Sequence, residues 1–374
     1  MIRPTAPSSP GPDSMPARQN SIGLLRLALA ALVVYSHAHL LGGFGAEPLY
    51  ALSRETLIAG TFSVQAFFVL SGALVAQSWL RRPSLPIFVW HRALRLAPAF
   101  WVCLAFTAFV LTPLLHATTA HPPSSWGELL ARSASYLGTN LFSPRHQIAI
   151  FPHPENIPWP GDWNGSLWTL FYEGAAYLMV AGLGLATLIG RNRRLGTALL
   201  LGLLALNTLW QIAPGLVPAP MPRLLDTAGK QLTLYFFAGI VWALNPSLED
   251  FFGRRRLDPA CFLVFGASVP MGLHPVLGPW LLAPVLFRLA AILPAREFER
   301  RIGGDYSYGL YLYGYPIQQS LSHFGAHHLG FPLYLALSFA FTLPLAILSW
   351  KFIERPALGW KKFAAPRKGI SSVP

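Results

Sequence analysis

The chain has 374 residues, of which 53% are hydrophobic and only 11% charged, with a formal net charge of +13. Soluble domains carry about 25% charged residues, and so sparse a set cannot dress a globular surface of this size. The only two cysteines, Cys103 and Cys261, fall inside apolar runs, which argues against a disulfide framework and a thiolate metal site.

In chain order, residues 1–21 are rich in Pro and Ser and lack the apolar core of a signal peptide, so they read as a disordered cytoplasmic tail. Residues 22–352 read as one membrane domain and 353–374 as a cytoplasmic C-terminal tail. Several apolar runs reach the roughly 18–20 residues that cross a bilayer. Ten spans are expected, at 22–41, 57–79, 96–116, 166–189, 196–213, 231–246, 260–273, 278–293, 304–324 and 331–350. The fold class is therefore an all-α integral membrane protein, a bundle of about ten transmembrane helices. With the N-terminus inside, 21 of the 28 Lys and Arg fall in cytoplasmic segments and five in outer ones; Arg26 and Arg288 fall in spans. The positive-inside rule then puts both termini in the cytoplasm. The basic surplus sets topology, and no nucleic-acid partner is expected. The spans near 260–293 are short and broken by Pro and Gly ("VPMGLHPVLGPW"). No internal repeat of the transporter kind is visible. The outer piece at about 117–165 contains "PPSSWGELLARSASYLG", read as an interfacial helix, and "FPHPENIPWPGDWNG", read as an ordered loop at headgroup level.

Ionisable residues inside spans are functional hypotheses by default. The first span, "LLRLALAALVVYSHAHLL", carries Arg26, His37 and His39. Eleven residues separate Arg26 from His37, which leaves them roughly 20° apart on one face and about 16 Å apart along the axis. His39 points elsewhere and reads as an interfacial histidine. His37 alone is equally a packing histidine or a working one. In "FVWHRALRLAP", Arg92 and Arg95 stand at i and i+3 at the start of a helix, before Pro98. They form a fork suited to phosphate or carboxylate; the plain alternative is topology-setting charge, the reading given to Arg81 and Arg82. In "DWNGSLWTLFYEGAAYLMV", Asp162 or Asn164 is the expected cap of a helix starting near Ser166. Glu173 then lies about 10 Å below the outer surface. His37 reaches a similar depth from the other side, so the two meet if their helices adjoin. His323 and His327 have metal-pair spacing but no nearby third ligand, and no metal is expected.

Five ordered pieces together resemble the acyltransferase-3 family of membrane O-acyltransferases. They are Arg26–x10–His37, "FFVLSGALV" at 67–75, Arg92-x-x-Arg95 before Pro98, "SLWTLFYE" ending in Glu173, and "SYGLYLYGYPIQ" at 307–318 with "WKFIERP" at 350–356. The resemblance covers about Gly23 to Pro356. Many members have a histidine where this chain has Gly314, so it is similar to the branch with glycine there. Some relatives carry an appended hydrolase-like domain; none is expected here, because the sequence ends about twenty residues past its last expected span. The resemblance implies transfer of an acyl group, usually acetyl from acetyl-CoA, to a hydroxyl of a carbohydrate outside the cytoplasm. It implies an inner-membrane, multi-pass enzyme with no bound cofactor and with acetyl-CoA as co-substrate. On this reading His37 is the general base and Glu173 its orienting carboxylate, with an acyl-histidine as the open variant. Arg26, Arg92 and Arg95 bind the donor. Trp163, Asn164 and Trp168 meet the acceptor, although interfacial packing equally explains the tryptophans. Partners are membrane lipid, the carbohydrate acceptor and polysaccharide-assembly proteins. The alternative is a proton-coupled secondary transporter with His37 and Glu173 as its relay.

Overall fold

The computed structural model describes residues 21–116, 118, 125–142, 150, 157–216, 228–254, 258–293 and 301–364. Among these residues all regular structure is helical. The main helices are α1 (Ile22–Leu41), α2 (Pro48–Leu52), α3 (Ala59–Arg81), α4 (Leu85–Phe106), α5 (Thr112–His116), α6 (Trp126–Asn140), α7 (Trp168–Leu185) and α8 (Arg193–Ile212). They are followed by α9 (Ala228–Leu244), α10 (Ser247–Arg254), α11 (Asp258–Ser268), α12 (His274–Ile292), α13 (Ser307–His323), α14 (Phe331–Ser349) and α15 (Arg355–Gly359). Of the expected N-terminal tail only Ser21 is described, and residues 151–156 of the expected outer loop lie outside the described residues. The expected C-terminal tail is helical as far as Ala364.

Among the described residues, six segments are long and apolar enough to cross a bilayer: Ile22–Leu41, Ala59–Arg81, Leu85–His116, Arg193–Ile212, His274–Ile292 and Phe331–Phe363. The protein is thus a multi-pass membrane protein. Helices also stand at the other four expected positions (α7, α9, α11 and α13), but they are shorter or less apolar. A physical reason is clearest for α13, which is buried along nearly its whole length and carries four tyrosines, Gln318 and Gln319. A helix enclosed by protein rather than lipid can satisfy polar side chains against its neighbours.

The third expected span starts earlier than its apolar run suggests. α4 begins at Leu85 after Ser84, with Pro86 in its first turn, where a missing N–H removes no helical bond. Pro98 is carried inside the helix. A π-helical turn at Thr107–Leu111 then joins α4 to α5. Arg92 and Arg95 therefore sit about two turns inside a long helix, not at its start. The interfacial helix forms as α6: the Ser125 side chain accepts from the Glu128 N–H at 3.2 Å, and Leu129, Ser133, Tyr136 and Asn140 face inward. Trp126 and Leu130 remain exposed. The Trp101 indole donates to the Leu141 carbonyl at 3.0 Å, fastening the end of α6 to α4.

Lipid tails are as apolar as leucine, so helix association in a membrane rests on close packing and internal hydrogen bonds. The glycine of "FFVLSG" supplies the first. A Cβ on Gly72 would lie 2.1 Å from the Phe236 carbonyl oxygen, and one on Gly239 would lie 2.0 Å from that of Val69. α3 and α9 thus touch backbone to backbone. α1 is held between α3 and the pair α13 and α14, with Gln318 Nε2 donating to the Val34 carbonyl (2.9 Å) and Ser322 Oγ to that of Leu41 (2.7 Å). Two apolar cores result. One gathers α3, α7, α8, α9 and α12; the other gathers α4, α6, the chain before α7, and α13. A small cavity lined by Phe68 of the first core and by Leu170 and Tyr308 of the second lies where they meet.

Gly72→Val will abolish the folded, monodisperse protein in detergent, because the partner is backbone and cannot give way. Gly182→Ala, with nothing within 4 Å of its added Cβ, should leave the melting temperature unchanged or raise it slightly. Size-exclusion profiles and thermal melts of the two variants check this contrast.

Candidate active site

Three cavities follow one another along α1. The first is a mouth of about 510 Å³, lined by Arg26, Arg81, Arg82, Arg92, Arg95 and Lys361, by His91, and by a single carboxylate, Asp305. The second is a neck of about 60 Å³ between α1, α3, α7 and α13, lined by Arg26, Phe67, Glu173, Tyr308 and Tyr311 among others. The third, of about 220 Å³, is a chamber that contains His37 together with Gln65, Ser166, Trp168, Gln231 and Tyr311. Arg26 and Phe67 border both mouth and neck; Val64 and Tyr311 border both neck and chamber. Arg26, at mouth and neck, and His37, in the chamber, are about 16 Å apart along α1.

At the mouth, the cations divide into two groups. Asp305, two residues ahead of α13, accepts from Arg26 Nη1 at 2.9 Å and from Arg95 Nη2 at 2.8 Å on the same oxygen, Oδ2. Its other oxygen takes the Ser307 hydroxyl at 2.5 Å. Glu354 approaches Arg95 Nη1 at 3.5 Å and accepts from Ser349 Oγ at 3.0 Å. It is aimed inward by a π-helical turn at Trp350–Glu354, which interrupts the long C-terminal helix. Arg26 and Arg95 are thus engaged by carboxyl groups of the protein. Arg92 is not: its guanidinium lies over the rings of Phe88 (5.9 Å) and Tyr177 (5.6 Å), and its buried Nε has no hydrogen-bond acceptor. Arg92 with Arg81, Arg82 and Lys361 leaves the mouth strongly cationic, suited to a ligand with several phosphates.

The neck joins the two ends chemically. Tyr177, whose ring lies under Arg92, donates its hydroxyl to Glu173 Oε1. Glu173 shares the neck with Arg26 and acts on it electrostatically. The structure does not bring Glu173 to His37. They line adjoining cavities, and among the described residues no group hydrogen-bonds the His37 imidazole. Its packing partner is the edge of Tyr315, with ring centroids 5.1 Å apart. Equal depth in two helices does not make their side chains meet: α7 turns its carboxylate to the neck, toward Tyr177 and Arg26.

The three residues expected at the acceptor also separate. Trp168 lines the chamber. Trp163 is completely buried, its indole donating to the Ile150 carbonyl at 3.1 Å, and has no face to offer a sugar ring. Asn164 donates to the Leu312 carbonyl at 2.9 Å and accepts from Ser166 at 2.6 Å. It ties the chain before α7 to α13 and does not cap a helix; a 3-10 turn, Gly165–Leu167, leads into α7 without a side-chain cap. Of the three, only Trp168 lines the chamber. His39 packs on Phe331 (4.4 Å) and Tyr35 (5.1 Å), outside the passage. Among the described residues no group of three or more His, Cys, Asp or Glu is placed to hold a metal.

Asp305 and Glu354 were not singled out in the sequence, though one stands beside and the other inside a quoted motif. A signal existed: two guanidiniums at the membrane's inner boundary require carboxylates nearby. Burial pushes the Asp305 carboxyl up, but Arg26, Arg95 and the hydrogen bonds from Ser307 outweigh it and hold it well below the usual carboxylate range. A lowered folded value stabilises the native state above the unfolded value, near 3.9, and that stabilisation is lost only as pH falls through the folded value. The clamp should accordingly stay intact down to about pH 4. Asp305→Asn leaves Arg26 and Arg95 facing each other and should lower stability by about 3 kcal/mol, read as a drop in melting temperature.

The chain matches the profile of a family described as an acyltransferase domain, acyltransferase-3, over residues 19–351. The chain belongs to that family. It is 28% identical over 341 residues to a protein named O-acetyl transferase from Shigella phage Sf6, covering 90% of this chain and 96% of that one. It is 26% identical over 374 residues to Nodulation protein 10 of Rhizobium leguminosarum bv. viciae, covering 93% of this chain and 96% of that one. No solved structure gives a significant match.

Proposed function

From its membership of this acyltransferase family, we propose that the protein moves an acetyl group from cytoplasmic acetyl-CoA to a hydroxyl of an extracytoplasmic or lipid-linked carbohydrate. The observation that carries this reading is the passage from a cationic mouth through a narrow neck to the chamber of His37. The name of the phage relative, O-acetyl transferase, agrees with it. A proton-coupled transporter would use His37 and Glu173 as one relay, and the separation of those two residues favours transfer.

The mouth faces the cytoplasm, with both termini on that side and ten helices crossing. The phosphates of coenzyme A sit on Arg92, Arg81, Arg82 and Lys361, and compete with Asp305 for Arg26 and Arg95. The neck admits a thin flexible chain but not a nucleotide, so only the pantetheine arm enters it. The thioester then reaches His37. Neutral His37 takes the proton of the acceptor hydroxyl as its oxygen attacks the thioester carbon; the carbon–sulfur bond breaks and the thiolate recovers the proton. Such proton transfer contributes roughly 10²–10⁴ in rate. Glu173 is reassigned from orienting His37 to holding Tyr177 beneath Arg92 and offsetting the charge of Arg26. Trp168 stacks on the acceptor from the outer side.

His37→Ala, purified in nanodiscs, should lose acetyl transfer by roughly 10²-fold or more while still binding acetyl-CoA. Retained turnover overturns the general-base assignment. Arg92→Ala removes charge-assisted bonds worth about 1.5–3 kcal/mol and should raise the Michaelis constant for acetyl-CoA about tenfold or more. An unchanged constant returns Arg92 to topology. The acceptor class is checked by mass spectrometry of surface glycans from cells with and without the gene, where loss of O-acetyl groups from a glycan is the expected result.

A further inference from the structure

The chamber has a second wall whose polar groups the mechanism above leaves unused. Gln65 of α3 lines it and is only 5% exposed. Behind Gln65, inside the larger apolar core, lie Tyr235 of α9 and His274 at the start of α12, 2% and 1% exposed. Burying an imidazole and an amide among apolar side chains costs several kcal/mol unless they hydrogen-bond, and such groups inside a membrane core call for a role.

Geometry defines what these groups do to one another. His274 Nε2 lies 2.8 Å from Gln65 Oε1 and 3.2 Å from Tyr235 Oη. Its ring lies nearly parallel to Tyr235 and edge-on to Phe265. One turn further on, Gly278 has no room for a Cβ, which would fall 2.4 Å from the Tyr235 hydroxyl and 2.9 Å from the imidazole. The imidazole is therefore fixed in place. Donation from His274 Nε2–H occupies the Gln65 carbonyl oxygen and so fixes which end of the amide is free. That free end is Nε2, with two N–H donors and no acceptor among the described residues, on the wall of the chamber that holds His37.

We propose that the Gln65 side-chain amide donates a hydrogen bond to the thioester carbonyl oxygen, and that His274 positions it to do so. The inference rests on the acetyl-transfer reading. As the acceptor oxygen bonds to the acyl carbon and its proton passes to His37, negative charge builds on the carbonyl oxygen. Gln65 N–H stabilises that charge until the carbonyl re-forms, the carbon–sulfur bond breaks and the thiolate takes the proton from His37. A preorganised donor of this kind contributes about 10²–10³ in turnover. Gln65 is then a catalytic residue, while His274 acts through it.

The test uses the full chain in nanodiscs, with acetyl-CoA as donor and surface glycan from cells lacking the gene as acceptor. Gln65→Leu should lower kcat about 100-fold and leave the Michaelis constant for acetyl-CoA within twofold. His274→Phe should lower kcat less, and His274→Gln, which restores an N–H donor, should recover part of the loss. A spectroscopic readout needs no acceptor. With turnover blocked by His37→Ala, the infrared carbonyl band of bound carbon-13-labelled acetyl-CoA should lie at lower frequency with Gln65 present than when Gln65→Leu is added. If Gln65→Leu fails to fold, the triple variant Gln65→Leu/Tyr235→Phe/His274→Phe replaces all three hydrogen-bonding groups by apolar ones, leaves no orphaned partner, and carries the same measurements. Wild-type kcat and an unshifted band in a folded variant overturn the inference alone, provided His37→Ala is inactive. A wild-type protein that neither binds acetyl-CoA nor transfers acetyl overturns the reading beneath it.

Discussion

The Asp305 carboxylate, accepting from Arg26 and Arg95 on one oxygen, is the contact on which the rest of this structure turns. It draws α1 and α4 to the start of α13, and Glu354 adds the C-terminal helix from the other side of Arg95. Asp305 sets one carboxylate against both guanidiniums and Glu354 approaches the second of them, which lowers the cost of gathering these cations where they are largely removed from water. The mouth is cationic for a different reason. Its remaining cations have no carboxylate among the cavity's lining residues beyond the one already engaged. Frame and binding surface thus use the same residue type, and they differ in whether the protein supplies the counter-charge.

Much of the passage could be read from one helix. The eleven-residue spacing of Arg26 and His37 is a property of α1 alone, since a helix converts sequence separation into angle and depth directly. Everything requiring the angle of a second helix was harder. Glu173 turns toward Arg26 and Tyr177 and lines the neck, not the chamber of His37. The start of α4 was placed late because its first turns carry His91, Arg92 and Arg95, and apolar runs mark where a helix meets lipid rather than where it begins. Trp163 shows the same limit for a loop. A Pro- and Trp-rich outer segment reads equally as a sugar platform or as packing, and only its burial beside Ile150 separates the two. Asp305 is 279 residues from Arg26 and 210 from Arg95, so no local pattern connects them.

The narrowness of the neck gives this arrangement its chemical sense. A thioester is attacked by water as well as by hydroxyls, so an enzyme that worked as proposed above would have to keep water from following its donor. Tyr308, Tyr311, Phe67, Phe68 and Leu170 close around about 60 Å³, and a chain that fills this space displaces water as it enters. Water exclusion also strengthens every dipole left beside the reacting carbonyl. On the proposed transfer, the same narrowness would separate recognition from chemistry: the cations of the mouth stay where solvent screens them, and the chamber keeps neutral hydrogen-bonding groups around His37. A cation placed there instead would favour the thiolate leaving group but would also suppress protonation of the imidazole, which must take a proton before the thiolate can leave. Neutral amides, the kind that Gln65 and Gln231 place on the chamber wall, would on the proposed mechanism stabilise an oxyanion without opposing an imidazolium beside it.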